Sequence, residues 1–216
     1  MVSGPTVVDG QNLFAKLQAL DWRYGMGSFQ ALAERGLPVT AVGNNMAFRR
    51  SAYNAFGGYE SLPFSLVEDF QLFKAISGAG YQVRFPASPA ILNRSVAVGN
   101  WRTLLDQRRR WLRGARNSGA PFHARLPFVM QVLAAAALIV ALCSAWPWLA
   151  AGVFALKLFI DTLFLEAVRR RLTPSEPLPW LYLVPHQVYL ILAMLVLPVY
   201  LYWPGTTRWK GRDLPS

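Results

Sequence analysis

The sequence predicts an α/β domain over residues 1–125, a transmembrane region of about three helices over residues 126–205, and a basic tail over residues 206–216. Three observations carry that division. Hydrophobic residues fill 54% of the 216 positions, and they crowd into the part after Pro121. The part before Pro121 alternates helix-like and strand-like pieces punctuated by glycines. Arginines flank the long apolar runs and do not interrupt them.

The elements follow in chain order. Met1-Val2-Ser3-Gly4-Pro5 reads like the inside of a strand and turn, not like a natural beginning. It has neither a basic stretch nor a long apolar core, so it is not a signal peptide, and membrane insertion rests on later segments. From Asn12 to Tyr24, Leu13, Phe14, Leu17, Leu20 and Tyr24 recur at helical spacing. The resulting apolar face suits core packing, with a membrane surface as the other use. Val39 to Phe48 predicts a strand through Gly43-Asn44-Asn45, and Ser51 to Phe56 a short helix stopped by Gly57-Gly58. Val67-Glu68-Asp69 opens a helix with Phe70, Phe73 and Ile76 on its apolar side and Gly78 and Gly80 at its end. Tyr81 to Phe85 alternates as a strand. A further helix starts near Asn100, with Trp101, Leu104, Leu105, Trp111 and Leu112 as its stripe.

Leu126 to about Ala145 is apolar and uncharged, long enough at about 1.5 Å per residue to cross a hydrocarbon core of about 30 Å. After the Trp146-Pro147-Trp148 break a second run reaches Ala167, with Lys157, Asp161 and Glu166 inside it. Lys157 and Asp161 are four residues apart and share a helix face, where pairing lowers the cost of burial; an ion pathway is the competing use. Trp180 to Trp203 gives a third run with aromatic residues at both ends, as interfacial anchors require. Arg108, Arg109, Arg110, Arg113, Arg116 and Arg125 precede the first run, and Arg169, Arg170 and Arg171 follow the second, so both flanks read as cytoplasmic. Three full crossings would then strand Arg208, Lys210 and Arg212 on the far side, against the same rule, unless Pro185 and Pro198 bend the last segment. His186, with no second histidine nearby, is expected to hydrogen-bond to a neighbouring helix. The single Cys143 forms no intrachain disulfide and is expected to be buried and inert.

Twenty-two Lys and Arg against 11 Asp and Glu give a formal charge of +11. Such a charge suits nucleic acid, anionic lipid or a phosphate-bearing substrate. Nucleic acid accounts for the charge but not for the apolar runs, and no reader motif accompanies the arginines.

Two constellations bear chemistry. Glu68 and Asp69 lie in a first helical turn, where exposed N–H groups favour carboxylates whatever their function. Gln107, Arg110 and Trp111 are related by three and four residues and adjoin on one helix edge. A guanidinium fork beside an amide and an indole suits a diphosphate or a sugar ring, and a juxtamembrane basic cluster also anchors to anionic lipid.

Taken in order, Gly43-Asn44-Asn45, Gly57-Gly58-Tyr59, Glu68-Asp69, Gln107 to Trp111 and then membrane spans resemble the membrane-bound glycosyltransferases of family 2. The motif resemblance covers about residues 36–116. It implies the C-terminal, acceptor-side part of a GT-A fold, followed by the transmembrane helices. It further implies an inverting enzyme that moves a sugar from a nucleotide-sugar donor to a lipid or polysaccharide acceptor. By resemblance, Asp69 is the general base and Glu68 its motif neighbour. Gln107, Arg110 and Trp111 line the acceptor channel or steady the departing diphosphate, and Asn44 and Asn45 are acceptor-side candidates. The family's divalent cation, Mg or Mn, sits on an Asp-x-Asp motif that this chain lacks, so no metal ligand is assigned. The donor-binding half is likewise expected elsewhere, in a longer native protein or a separate donor-binding chain, which would leave this piece inactive alone. The expected location is a bacterial inner membrane with the catalytic portion cytoplasmic. The competing class is a non-catalytic membrane adaptor whose basic face binds lipid or a partner.

Overall fold

A computed structural model describes residues 1–117, 119, 121–202, 207–209 and 212–214. Among them the chain is mostly helical, with short strands in pairs. Strand β1 (Val2–Ser3) pairs antiparallel with β3 (Met46–Ala47), and β2 (Thr6–Asp9) runs parallel to β4 (Asn93–Val96). Helix α1 (Leu13–Ala33) follows β2, α2 (Arg50–Asn54) precedes Gly57-Gly58, and α3 (Glu68–Gly78) carries the two carboxylates at its start. Helix α4 (Trp101–Asn117) carries the Gln-x-x-Arg-Trp residues. Then come α5 (Leu126–Leu142), α6 (Pro147–Leu172) and α7 (Leu183–Tyr202), and the backbone ends in a small antiparallel pair, β5 (Thr207–Trp209) with β6 (Arg212–Leu214).

The predicted strands shrink for a physical reason. Residues 39–45 form no ladder, because the Val42 N–H donates to Ser3 Oγ at 2.8 Å and the Gly43 N–H to an Asp69 carboxylate oxygen at 3.0 Å. Side chains have taken the donors a neighbouring strand would need. Residues 81–85 keep a single bridge, Arg84 to Val2, with backbone bonds of 2.9 Å and 3.0 Å to Ser3 and Met1.

Helix α1 starts as predicted, with Asn12 Oδ1 accepting from the Ala15 N–H at 2.8 Å. It runs beyond Tyr24 to Ala33, because Trp22, Met26, Phe29 and Ala33 pack with Phe85, Val168 and Leu172. Its face is therefore a core face shared with α6 and α7. Leu13, assigned to that face, is exposed, while Leu17 and Leu20 are buried.

Three helices are long and apolar enough to cross a membrane: Phe122–Leu142, Pro147–Leu172 and Trp180–Tyr202. Pro147 stands in the first turn of α6, where a missing N–H costs nothing. Cys143, expected to be buried, is exposed at the end of α5. Lys157 pairs with Asp161 at 2.6 Å, and Gln187 of α7 completes a buried triad with bonds of 2.6 Å to the lysine and 3.0 Å to the aspartate. The hydrogen bond expected of His186 does not form. The side chain is fully buried, neither ring nitrogen has a partner among the described residues, and the ring stacks on Tyr189 at 6.1 Å.

Helix α7 continues unbroken through Pro198 and lies along α4. Trp101 stacks near Tyr189 at 5.3 Å, Tyr200 donates to Asp106 at 2.5 Å, Arg109 covers the Tyr200 ring at 5.1 Å, and Arg113 donates to the Leu201 carbonyl at 3.2 Å. These contacts advance together along both helices, so the two run side by side for several turns, and β5 also packs beside α4. Trp203 and Lys210, which figured in the anchoring and charge arguments, lie outside the described residues.

Candidate active site

The site forms where α3, α4 and the loop before β3 meet. Asp69 is the second residue of α3, half-buried and held in two directions: one oxygen accepts from the Phe70 N–H at 2.8 Å and the other from the Gly43 N–H at 3.0 Å. Helix-terminus chemistry and site chemistry coincide in this residue. Burial raises its pKa above the ordinary 3.8, the two backbone donors and the charge of Arg110 oppose that rise, and the neighbouring Glu68 reinforces it. A carboxylate so placed is a stronger base than a solvated one. Glu68 is exposed beside it.

Two glycines set the spacing. A Cβ at Gly43 would stand 3.0 Å from the Asp69 oxygen and 3.2 Å from its Cβ, so the loop approaches this closely only without a side chain. A Cβ at Gly114 would fall 2.5 Å from a Val67 methyl, so α4 packs against the residue that precedes α3. That contact brings Arg110 to the start of α3, where its guanidinium donates to the Leu66 carbonyl at 2.7 Å.

The consecutive arginines take three different directions. Arg108 is engaged by Asp21 at 2.5 Å and lies over the Trp111 ring at 4.8 Å and the Trp22 ring at 5.8 Å. Arg109 is buried against Tyr200 on the α7 side. Arg110 faces Asp69. Trp111 meets Trp22 edge-on at 5.5 Å and packs against the cluster of Ala41, Val67, Phe70 and Phe73.

These residues line a cavity of about 620 Å³. Gly43, Asn44, Glu68, Asp69, Gln107, Arg110 and Trp111 all reach it, so six of the seven residues singled out by sequence converge there. Asn45 does not. Its amide donates to the Pro5 and Ile91 carbonyls at 2.8 Å each and ties the N-terminal loop to the segment before β4. Asn44 is itself held by Thr6, which donates to its side-chain oxygen at 2.9 Å. The cavity continues away from Asp69 among Phe128 and Gln131 of α5 and Tyr189, Leu190, Met194 and Leu197 of α7. The lining thus combines charged and polar groups of both signs around Asp69 with helices apolar enough for a bilayer.

Sequence reasoning missed Asp21, Trp22 and Tyr189. A signal existed for the first: Asp21 falls on the Leu17–Leu20–Tyr24 face, and a carboxylate on a core-facing stripe needs a partner.

Residues 1–215 match glycosyl transferase family 21. The chain belongs to that family. The match spans the strand-bearing part and the apolar helices of this family 21 chain alike, and the glycosyltransferase expectation holds at that level. No curated protein and no solved structure matches the chain. Among the described residues no three His, Cys, Asp or Glu side chains gather as a metal-binding group. The described residues thus offer no such group for the divalent cation that the family 2 resemblance implies.

Proposed function

We propose that this chain carries the acceptor-side part of an inverting, GT-A-type glycosyltransferase whose acceptor is a membrane lipid. The observation that carries the reading is the continuity of the cavity from Asp69 to the apolar walls of α5 and α7. A lipid held by those walls presents its hydroxyl to Asp69 without leaving the membrane. The carboxylate takes the hydroxyl proton as the oxygen attacks the anomeric carbon of a nucleotide sugar. The new C–O bond forms as the bond to the leaving phosphate breaks on the opposite face, so the anomeric centre inverts and a nucleoside diphosphate departs. A hydroxyl is a poor nucleophile at neutral pH, and a base with a raised pKa in contact with it lowers the barrier. Negative charge gathers on the leaving diphosphate, and Arg110 offsets it from within the same cavity. Gln107 and Trp111 form the wall against which the acceptor head rests.

The adaptor reading has no use for a half-buried carboxylate lining a cavity. The test is transfer of labelled sugar from a panel of nucleotide sugars into organic-extractable lipid, with the native protein in its membranes. Asp69→Asn should lower turnover by about 10²- to 10⁴-fold, the usual worth of a general base, and Arg110→Ala should lower it with the fold intact. Full activity in both variants would sink the assignment.

A further inference from the structure

Asp21 stands on α1, outside every motif, yet it joins the two walls of the cavity. Its Oδ2 accepts from Arg108 of α4 at 2.5 Å and from the Tyr189 hydroxyl of α7 at 3.4 Å. Tyr189 is 3% exposed and stacks near Trp101, so this hydroxyl has little freedom to turn elsewhere. Arg108 in turn lies over Trp111 and Trp22. One carboxylate therefore fixes a catalytic-side helix, a membrane-type helix and the aromatic pair between them.

We propose that Asp21 is a positioning residue for the acceptor: it neutralises Arg108 and holds that guanidinium over the Trp111 ring, so the acceptor wall stays aromatic and Arg110, not Arg108, presents its charge to Asp69. The proposal rests on the transferase reading above. It follows from charge and packing. An arginine that loses its carboxylate in a half-buried wall must regain a partner, and the cavity that Arg108 lines is open to its long, charged side chain. There it would occupy the space of the acceptor head and leave Trp111 without its cover. Arg110 lies two residues from Arg108 on α4, about 200° round the helix, so donor contacts there are spared.

The experiment compares Asp21→Asn, Arg108→Met and the double variant in the native protein, with transfer measured in its own membranes and melting measured on the purified protein in nanodiscs. Two readouts are taken: melting temperature without substrate, and acceptor and donor KM in the transfer assay. Asp21→Asn should lower the melting temperature and raise the acceptor KM about tenfold, with the donor KM and kcat within about twofold of the parent. Adding Arg108→Met, whose thioether still covers Trp111 and carries no charge, should bring both readouts most of the way back. Asp21→Glu, which keeps the charge, should retain an acceptor KM close to the parent. A double variant as unstable as Asp21→Asn would overturn the clasp. Recovery of stability with donor and acceptor KM moving alike would overturn the role in acceptor positioning. Absence of any sugar transfer by the native protein in its own membranes would overturn the transferase reading and with it the acceptor role, while the melting temperatures would still judge the clasp.

Discussion

Removing Lys157 should destabilise the helical region more than removing its whole polar triad. Lys157 and Asp161 expose 8% and 5% of their side chains and lie 2.6 Å apart, with Gln187 bonded to both. At that distance, and at an effective dielectric of about 20, their attraction is about 6 kcal/mol, most of it offset by the cost of taking two charges out of water. Lys157→Met forfeits the attraction and leaves Asp161 buried beside an amide, which should cost about 3–5 kcal/mol. Replacing all three together (Lys157→Met, Asp161→Leu, Gln187→Leu) removes the desolvation cost as well. That variant should be as stable as the parent or gain about 1–4 kcal/mol. Unfolding by SDS titration in mixed micelles, followed by circular dichroism, measures the order of the three proteins. A triple variant less stable than Lys157→Met would refute the reasoning, because it would mean the triad stabilises beyond its own desolvation.

The raised pKa of Asp69 predicts a pH dependence whose sign is fixed. The base works only when ionised, so turnover should fall as pH drops through a value above 3.8, and a limb at or below 3.8 in the pH profile would refute it. The same shift means that the fold favours the protonated acid. Stability from this group is therefore greatest below 3.8 and declines as pH rises through the folded pKa, a decline that Asp69→Asn should abolish in thermal scans. Gly43→Ala pushes a methyl to 3.0 Å from the Asp69 oxygen, so the carboxylate must shift by a few tenths of an ångström. Turnover should fall about tenfold with little change in melting temperature, since misplacement of about 1 Å costs about 10²-fold; unchanged turnover would show that the spacing is not critical. The alignment of α7 with α4 predicts that the tail shares the side of α4. In a Cys143→Ser background, Asn117→Cys and Arg212→Cys should be labelled by an impermeant maleimide from the same face of sealed vesicles, and labelling from opposite faces would refute it.

Much of the site was legible because its parts are local. Glu68-Asp69 at a helix start and Gln107, Arg110 and Trp111 on one helix edge are statements about neighbours in sequence, and all five reach the cavity. Asn45 could not be separated from Asn44 in this way, since which of two adjacent amides turns inward depends on the Pro5 and Ile91 carbonyls, far away in the chain. The strands failed for a similar reason. Residues 39–48 have strand composition, but only Met46–Ala47 find a neighbouring strand, while the Val42 and Gly43 donors find Ser3 and Asp69 instead.

The sequence by itself determined the apolar runs, their breaks at Trp146-Pro147-Trp148, the pairing of Lys157 with Asp161 and the residue types of the candidate site. Each of these follows from composition or from helical spacing over three or four residues. Only the tertiary structure decided that α1 continues to Ala33 against α6, that α7 lies along α4, and that one cavity joins Asp69 to the apolar helices. It also decided that three adjacent arginines diverge: Arg108 to Asp21, Arg109 to Tyr200 and Arg110 toward Asp69. Successive helical residues point about 100° apart, so equal charges in a row meet unequal surroundings, and those surroundings come from other parts of the chain.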